Sequence, residues 1–396
     1  MTHAHQSSAR PSMLDPSELA DLPSPVLTVD LEAVRHNLAT VCAWLPDGDL
    51  RHWRPHTKTL KIPRVLAELL RAGVRHFKCA TLKEATVLLD VAQAEGVDTL
   101  DLLVAYPHVE PTLSLLGRLA AAHPQAQLSI LCEHPDDVAA VPDLLGIFMD
   151  LNVGMDRTGL TPEAEPLLTA LAEAVGDRLV GLHGYEGHVH TGPWAERRLA
   201  VHTALERLER ARHGLHEAGF TIREVVTSGT PSFRAALEFA PFRRLPTTTV
   251  HRVSPGTVVY HDTRSADLEE LRGLVWAVSV LARVISRPTS NRATVDAGSK
   301  ALAADAGDPC AVVLGHPNLR ALHPSEEHLP LDLDPNAPEG SSVPPRGTAL
   351  WLVPRHVCPT VNLASQAFVV DGPRVLGWAQ VTARGHGAVD IPEHPL

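Results

Sequence analysis

One lysine lies where a buried strand would end, and its amine could do chemistry. It is Lys58, in the segment RPHTKTLK between Arg54 and Lys61. Lysine is rarely buried unless its charge is paired or its amine reacts. The amine could form a Schiff base with the carbonyl of a covalent cofactor, or Lys58 could be a surface lysine beside a loop. The segment alone leaves both interpretations open.

Two short glycine turns later in the chain are candidates for binding a phosphate group. The turn TSGT supplies the hydroxyls of Ser228 and Thr230 and the backbone of Gly229, and the turn SPGT supplies Gly256. In parallel barrels, turns after the last two strands bind phosphate through backbone N–H groups. A ligand that reaches both the turns and a lysine needs a phosphate and a carbonyl. Pyridoxal phosphate has both.

Eight short apolar segments must position these residues, and they alternate with amphipathic segments from Trp53 onward. This alternation is typical of a parallel sheet with crossover helices, and segments such as LKEATVLLDVAQAEG repeat apolar residues at helical spacing. Eight βα units over this length predict a (βα)8 TIM-type barrel rather than an open doubly wound sheet. The predicted strands are WRPHTK, HFKCA, LDLLVA, QLSILC, IFMDLNVG, VGLHGYEG, EVVTSG and VHRVSPG.

Titratable residues follow several of these strands at their carboxyl ends, where barrels of this kind hold their chemistry. Arg157 follows the fifth strand, and the sixth runs into HGYEGHVH with Tyr185, His188 and His190. We expect Tyr185 to line the ligand pocket. For the two histidines, a role in proton transfer competes with a structural interpretation, in which one packs behind the site and the other is solvated.

The pattern of apolar residues and loops in the sequence changes after Asp262. Segments such as TALWLVPRHV and RVLGWAQVTARG are apolar and β-branched, and loops rich in proline and glycine separate them. We therefore predict an α/β chain in which a barrel over residues 25–262 is followed by a mainly β domain over residues 263–396. Residues 1–24 are interpreted as a tail that could pack with the second domain. The segment VLTVDLEAVRHNLATVCAWL predicts a strand that leads into a helix.

Composition excludes several classes of partner. The 396 residues carry a formal net charge of −11 and no basic run, which argues against nucleic acid. The five cysteines are scattered, with no CxxC pair, as in a reducing compartment. No apolar run approaches the ~20 residues of a membrane helix, and the first residues lack the apolar core of a signal peptide. We expect a cytoplasmic protein with no nucleic-acid or membrane partner.

Several motifs together resemble a known family. RPHTKTLK, GMDRTG, TSGTP and SPGTVVY are similar, in order, to motifs of the fold-type III pyridoxal-phosphate enzymes, in the D-threonine aldolase and D-serine dehydratase branch. VDAGSKAL, SEEH and PRHVCPTVNL resemble the C-terminal domain of that branch. The resemblance extends from Ser24 to about Gly387. It implies an alanine racemase-like barrel, a metal-binding β domain and a homodimer.

The resemblance also implies roles for individual residues. Lys58 takes the position that carries the cofactor, and Arg157 the position near its phenolic oxygen. Thr257 belongs to the second phosphate-binding turn, and Tyr260 takes the position of a tyrosine that contacts the phosphate in related racemases. Leu60 is a departure, because the signature commonly has histidine there.

The spacing of His356 and Cys358 is compatible with a metal site. The two residues are two positions apart, so in an extended strand both side chains point to the same side. On its own, His-x-Cys more often means a core histidine beside a buried cysteine. The resemblance reverses this preference because the pair aligns with the family's metal ligands. A thiolate with an imidazole suits zinc, and manganese or cobalt are alternatives.

The resemblance implies a lyase for small β-hydroxy-D-amino acids, and we expect a D-serine dehydratase-like reaction, with a D-threonine aldolase-type cleavage as the alternative. In the dehydratase reaction, which Cys358 favours, Lys58 removes the α-proton and the metal assists loss of the β-hydroxyl. His56, two residues before Lys58, is a candidate for positioning the Schiff base. In the aldolase reaction, a base near His188 or His190 deprotonates the β-hydroxyl and the Cα–Cβ bond breaks. The segment GYEGHVH resembles the aldolase pattern.

Two other functions share the predicted fold. Alanine racemases use a tyrosine of the second domain as a base, but the tyrosines here are Tyr106, Tyr185 and Tyr260, all within the predicted barrel. A two-base racemase is therefore disfavoured. A pyridoxal-phosphate-binding protein without turnover is the remaining alternative, although single-barrel proteins of that kind lack the second domain.

Overall fold

A computed structural model describes residues 14–387 and 389 of the chain. Its strands are β1 (Val26–Asp30), β2 (His76–Cys79), β3 (Leu100–Pro107), β4 (Ala126–Cys132), β5 (Gly146–Leu151), β6 (Leu179–Gly184), β7 (Glu224–Thr227), β8 (Val250–Val253), β9 (Val278–Thr289), β10 (Arg292–Val295), β11 (Ala311–Val313), β12 (Leu319–Ala321), β13 (Leu329–Leu333), β14 (Ala349–Pro354), β15 (Gln366–Asp371) and β16 (Arg374–Gln380). Its helices are α1 (Leu31–Trp44), α2 (Pro63–Arg71), α3 (Leu82–Ala94), α4 (Thr112–Ala122), α5 (Glu165–Val175), α6 (Trp194–Glu217), α7 (Phe233–Glu238), α8 (Thr263–Ala266) and α9 (Val357–Leu363).

Strands β2 to β8 form a parallel sheet in sequential order. The first predicted strand closes this sheet into a barrel, because Trp53 pairs with Val253 of β8 and His56 pairs with Lys78 of β2. The closure is a pair of single bridges rather than a ladder, so WRPHTK is less regular than predicted. The predicted barrel is confirmed, with this irregular segment as its first member.

The barrel strands are continuous apolar runs because a parallel sheet covered by helices buries both faces. Leu103, Leu131, Phe148 and Val226 from four strands pack into one core cluster, and each is almost completely buried. Six of the eight predicted segments carry leucine, isoleucine or valine for this core, whereas WRPHTK and HFKCA carry none.

Capping residues in the sequence mark where two of the barrel helices begin and end. Helix α3 begins after Thr81, whose hydroxyl accepts a hydrogen bond from the backbone N–H of Glu84. Helix α6 ends before Gly219, which has a φ of +94°. The N–H of Gly219 donates to the carbonyl of His216, and the left-handed backbone there favours glycine. Helix α3 lies within the predicted helical segment LKEATVLLDVAQAEG.

A buried ion network lies inside the barrel. The guanidinium of Arg54 donates two hydrogen bonds to Glu224 at 2.7 and 2.8 Å, and a third to Asp101 at 3.0 Å. Arg252 also pairs with Glu224. Although burial opposes ionisation of both groups, the neighbouring charges keep the pKa of Arg54 raised and that of Asp101 well below its usual range. Pairing is what makes these buried charges tolerable.

The second sheet has nine strands in the order β10-β13-β12-β11-β14-β9-β1-β15-β16. A further pairing between β10 and β9 closes the first six strands into a ring. β1 pairs antiparallel with β9 and parallel with β15. The predicted mainly β C-terminal region is confirmed, and the early strand β1 belongs to its sheet.

The chain divides into two compact units that interleave along the sequence. One contains the nine-stranded sheet and is built from the described residues up to Thr40, from Thr59–Glu68 and from Thr257–Arg384. The other contains the barrel sheet and is built mainly from Val41–Lys58 and Leu69–Gly256. The boundaries of 25–262 and 263–396 stay a prediction. Within residues 14–387, no helix combines the length and apolar character needed to cross a lipid bilayer.

Candidate active site

Lys58 lies in a single turn of 3-10 helix, Thr57–Thr59, directly after the segment that closes the barrel. Its side chain is exposed. The backbone N–H of Lys58 donates to Nδ1 of His56 at 3.3 Å. His56 therefore holds the backbone of the lysine turn at the carboxyl end of the barrel. Its predicted role in positioning the cofactor bond stays a prediction.

The turn after β7 has an unusual backbone conformation and a buried hydroxyl without a described partner. Ser228 has a φ of +69°, in the left-handed region that non-glycine residues rarely adopt. The hydroxyl of Thr230 is buried and has no hydrogen-bond partner among the described residues. Burying an unpaired hydroxyl is costly, so a ligand with acceptor oxygens is the expected partner.

The turn after β8 presents a second hydroxyl of the same kind. Ser254 is buried, and its Oγ also lacks a partner within the part of the chain that the structure describes. Gly256 follows two residues later. The turns after β7 and β8 therefore each leave one buried hydroxyl to be satisfied by a ligand. Their predicted role in binding phosphate stays a prediction.

The ring of Tyr185 contacts Gly187 and Gly229, and the guanidinium of Arg157 lies over it. A β-carbon on Gly229 would come within 3.1 Å of the ring, and one on Gly187 within 2.2 Å. The guanidinium of Arg157 lies 5.1 Å from the ring centroid, within the range of a cation–π contact. The fifth, sixth and seventh strands thus bring together Tyr185, Arg157 and the Ser228–Thr230 turn, all of which the sequence predicted for the cofactor.

Buried titratable residues from three strands form a line inside the barrel, and the sequence did not predict it. Nδ1 of His183 lies 2.6 Å from the Asp150 carboxylate, and Nε2 of His183 lies 3.4 Å from Nζ of Lys78. Nζ of Lys78 is also 5.8 Å from the centroid of the Tyr185 ring. Glu186 is fully buried, and its carboxylate has no hydrogen-bond partner among the described residues.

Burial dominates the electrostatics of this line. Burial, followed by the charge of Lys58, lowers the pKa of Lys78 to about 7, against the opposing charge of Glu186. Burial also lowers the pKa of His183, although Asp150 opposes it. The signal in the sequence was Lys78 inside HFKCA, Asp150 inside IFMDLNVG, and His183 and Glu186 inside VGLHGYEG.

The two histidines of HGYEGHVH are placed differently. His188 is exposed, and its ring packs against Gly154, where a β-carbon would lie 3.0 Å from it. His190 is partly buried and its Nδ1 lies 3.2 Å from the carbonyl oxygen of Gly187. His188 is therefore the more accessible base, and the role of both in proton transfer stays a prediction.

In the unit with the nine-stranded sheet, His356 and Cys358 are close to each other, at the start of α9 rather than within a strand. Nδ1 of His356 lies 2.7 Å from the carboxylate of Asp305. The sulfur of Cys358 lies 3.1 Å from Oγ1 of Thr59 and 3.4 Å from Oγ1 of Thr257. Thr257, predicted for the phosphate, thus also contacts the thiol.

This polar surrounding favours charge on both residues. Burial alone would lower the pKa of His356, but contacts with Cys358 and Asp305 outweigh it and raise the pKa to about 9. Burial alone would raise the thiol pKa of Cys358, but His356, Thr257 and Thr59 lower it. Over residues 14–387, no three histidine, cysteine or acidic side chains form a cluster able to hold a metal.

Tyr260 is fully buried, and its hydroxyl donates to the carbonyl oxygen of Leu60 at 2.7 Å. Burial, together with the charge of Cys358, raises the pKa of Tyr260 well above its usual value. The phenol is therefore neutral. Its predicted contact with the cofactor phosphate stays a prediction, and Leu60 is buried.

A parallel βα barrel combined with a mainly β unit and a lysine turn at the barrel closure is the architecture of the fold-type III pyridoxal-phosphate enzymes. Residues 29–264 match the family described as alanine racemase, N-terminal domain, and the chain belongs to this family. Residues 277–370 match the putative serine dehydratase domain. The predicted family and fold class are confirmed.

Curated relatives match most of the chain. D-threonine aldolase from Arthrobacter sp is 28% identical over 93% of this chain and 94% of its own length. 3-Hydroxy-D-aspartate aldolase from Paracoccus denitrificans (strain Pd 1222) is 26% identical over the same shares of the two chains. D-serine dehydratase from Dictyostelium discoideum is 24% identical over 57% of this chain and 60% of its own.

Solved structures have the same fold. The crystal structure of D-threonine aldolase from Filomicrobium marinum superposes with a TM-score of 0.80, 27% identity, and coverage of 93% of this chain and 97% of that one. D-threo-3-hydroxyaspartate dehydratase from Delftia sp. HT23 superposes with a TM-score of 0.74 at 21% identity, over 93% of this chain and 99% of its own.

Proposed function

We propose that the chain is a pyridoxal-phosphate-dependent lyase that acts on small β-hydroxy-D-amino acids, with Lys58 as the residue bonded to the cofactor. The observation that carries the proposal is the placement of Lys58 in the turn at the carboxyl end of the closed barrel, in a chain of the alanine racemase N-terminal-domain family. The names of the full-length relatives supply the substrate class.

The barrel residues fit pyridoxal phosphate. The buried, unpartnered hydroxyls of Thr230 and Ser254 lie in the turns that the proposal assigns to the phosphate. Arg157 offers a cation for the phenolic oxygen, and Tyr185 an aromatic face for the ring. When bound, this cofactor accepts electrons from the α-carbon of an amino acid. Thr230, Ser254, Arg157 and Tyr185 would orient the cofactor through their hydroxyl, guanidinium and aromatic groups.

We further propose that His356 and Cys358 hold a divalent metal, with zinc favoured over manganese or cobalt because a thiolate is a soft ligand. Asp305 fixes Nδ1 of His356, in the way that outer carboxylates orient metal-binding imidazoles. The lowered pKa of Cys358 favours the thiolate that a metal requires. Such a metal would act as a Lewis acid on a hydroxyl oxygen. With two protein ligands, the remaining positions are left to water or substrate.

Two outcomes are compatible with this assignment. The relatives that match over 93% of the chain are named aldolases, which favours cleavage between Cα and Cβ, to glycine and an aldehyde. Cys358 favours the alternative, dehydration of a substrate such as D-serine, and D-serine dehydratase matches a shorter part of the chain. We propose cleavage first and dehydration second, each of them in a homodimer.

A single incubation separates the outcomes. The metal-loaded, cofactor-loaded enzyme is mixed with D-threonine, and glycine is separated from 2-oxobutanoate. Glycine indicates the aldolase and the keto acid indicates the dehydratase. If D-threonine, D-serine and 3-hydroxy-D-aspartate all yield neither glycine nor a keto acid with zinc, manganese or cobalt, the chain is a cofactor-binding protein without this turnover. L-threonine is the matched control for the configuration at Cα.

A further inference from the structure

Lys78 is a second lysine inside the barrel that the proposed function leaves unused. It belongs to β2, where its backbone pairs with His56, two residues before Lys58. Its side chain is almost completely buried. Because lysine is rarely buried without a chemical or structural reason, this amine requires an explanation.

The amine of Lys78 has one hydrogen-bond partner among the described residues, Nε2 of His183 at 3.4 Å. An ionised carboxylate only accepts, so the 2.6 Å contact with Asp150 assigns the ring proton of His183 to Nδ1. The other ring nitrogen, Nε2, is then free to accept from Lys78. Asp150 and His183 together orient the Lys78 amine and leave two of the three hydrogens of a protonated amine without a described acceptor.

The charges around Lys78 are of both signs. Two cations, Lys58 and Arg54, disfavour a proton on it, and two carboxylates, Glu186 and Asp150, favour one. Burial has the largest effect and, together with the two cations, lowers the pKa of Lys78 to about 7, so that near neutral pH the amine is present in both protonation states. The charged and titratable groups that act on Lys78 and on its partner His183 are Lys58, Arg54, Asp150, Glu186 and Arg157.

Lys58 needs such a neighbour if it bonds to a carbonyl. An ordinary lysine is protonated at neutral pH and must lose that proton before its nitrogen can attack. We propose that Lys78, held by His183 and Asp150, is the proton partner of Lys58 when the covalent bond to the cofactor forms and exchanges. This inference rests on the proposed role of Lys58.

The bond between Lys58 and the cofactor forms by one proton transfer and the loss of one water molecule. One proton passes from the Lys58 ammonium to the Lys78 amine, and the free electron pair of Lys58 forms the bond to the aldehyde carbon. The aldehyde oxygen leaves as water with the two remaining hydrogens of the Lys58 amine. When Lys58 is displaced, Lys78 returns the proton to it.

The test measures how fast the full-length chain, first freed of cofactor, forms the lysine-bound absorbance band after mixing with pyridoxal phosphate. Lys78→Met removes the amine, and Lys78→Arg keeps a cation that cannot release its proton. We expect both variants to be about 10²-fold slower at pH 7, at the low end of the effect of a lost general base. At about pH 10.5, where solvent deprotonates an ordinary lysine, they should match the wild type. Lys83→Met, on α3 of the same unit, is the matched control.

Two results overturn the inference: a wild-type rate for Lys78→Met at pH 7, or slowing by the same factor at both pH values, which indicates a structural role. Absence of the band in the wild type at every pH would instead refute the proposed function. A second measurement does not depend on the variants folding. The chain has five lysines, so side-chain 13C NMR of the wild type resolves each titration. One must titrate near pH 7, and five ordinary lysines contradict the proposal.

Discussion

The ring of Tyr185 lies against Gly229, so closely that a β-carbon on the glycine would come within 3.1 Å of the ring. Real β-carbons rarely approach a neighbour so closely. On the opposite side, Gly187 leaves still less space, at 2.2 Å. Gly187 therefore leaves no room for a side chain beside the Tyr185 ring, and Gly229 leaves little.

The first prediction concerns this packing. Gly187→Ala must displace the ring of Tyr185, because the added carbon overlaps it. We expect the affinity for pyridoxal phosphate to fall about tenfold, which corresponds to ~1.4 kcal/mol. Absorbance titration measures it. Gly214→Ala in α6 is the control, because nothing lies within 4 Å of the added carbon. Equal affinities for the two variants would show that the Tyr185 ring does not support the cofactor.

The second prediction concerns the cofactor bond. Lys58→Ala removes the only amine that the proposal assigns to the cofactor, so the lysine-bound absorbance band should be lost. Lys300→Ala is the matched control, since Lys300 is an exposed lysine whose amine pairs with Glu326 and Glu327. The measurement is the absorbance spectrum of each purified protein with pyridoxal phosphate. An unchanged band in Lys58→Ala would assign the bond to another lysine.

Much of the fold could be predicted from the sequence because it depends on local patterns. The barrel strands are short apolar runs, and helices such as α3 have both the spacing and the capping residue of a helix. The position of β1 could not be predicted in this way. It precedes the barrel in sequence but pairs with β9 and β15, and such long-range pairing leaves no periodic signal.

The site residues also fall into two groups, those that the sequence predicts and those that only the fold brings together. Lys58, Arg157 and the glycine turns belong to contiguous motifs that a single sequence displays. Lys78 and His183 do not, because each is one polar residue within an apolar strand. Only the closure of the barrel brings β2 and β6 to opposite sides of one interior, where the two side chains meet.

The third prediction concerns stability. Arg54→Met leaves the carboxylates of Glu224 and Asp101 buried without their main partner. Removing one partner of a buried ion network typically costs ~3–5 kcal/mol, so we expect the free energy of unfolding to fall by about this amount. Urea denaturation measures it. Arg51→Met is the control, since Arg51 is mostly exposed and pairs with Asp49 at the surface, and it should cost under ~1 kcal/mol. Similar costs for the two variants would contradict the buried network.

The fourth prediction concerns pH. Burial, followed by the charge of His52, lowers the pKa of His251 to about 3, and its Nε2 lies 2.8 Å from Oγ1 of Thr227. In the unfolded chain the imidazole of His251 binds a proton near pH 6.5. In the folded chain the same imidazole binds it only near pH 3. The stability from His251 is therefore complete above pH 6.5 and is lost as the pH falls toward 3.

The measurement compares His251→Gln with the wild type by urea unfolding at pH 7 and pH 4. Glutamine keeps a hydrogen-bonding group but does not titrate. Between the two pH values, the wild type should lose more unfolding free energy than the variant, by over ~1 kcal/mol. Parallel losses in the two proteins would show that His251 is not buried in its neutral form.

The fifth prediction concerns the metal. His356→Ala should lower the zinc content of the purified protein, because it removes one proposed ligand and the imidazole that lowers the pKa of Cys358. The lysine-bound cofactor band should remain, since no cofactor role is assigned to His356. His323→Ala is a matched control, because His323 also pairs with an aspartate, Asp308, at 3.0 Å and is exposed.

Metal content by mass spectrometry and absorbance of the same samples separate the possible results. Loss of zinc with retention of the band supports a metal role for His356. Loss of both indicates that the substitution disrupts folding, which thermal unfolding of the same sample would reveal. If His356→Ala and His323→Ala retain the same amount of zinc, then the His356 and Cys358 pair is a structural contact, and its raised imidazole pKa reflects pairing with Asp305 and the thiolate alone.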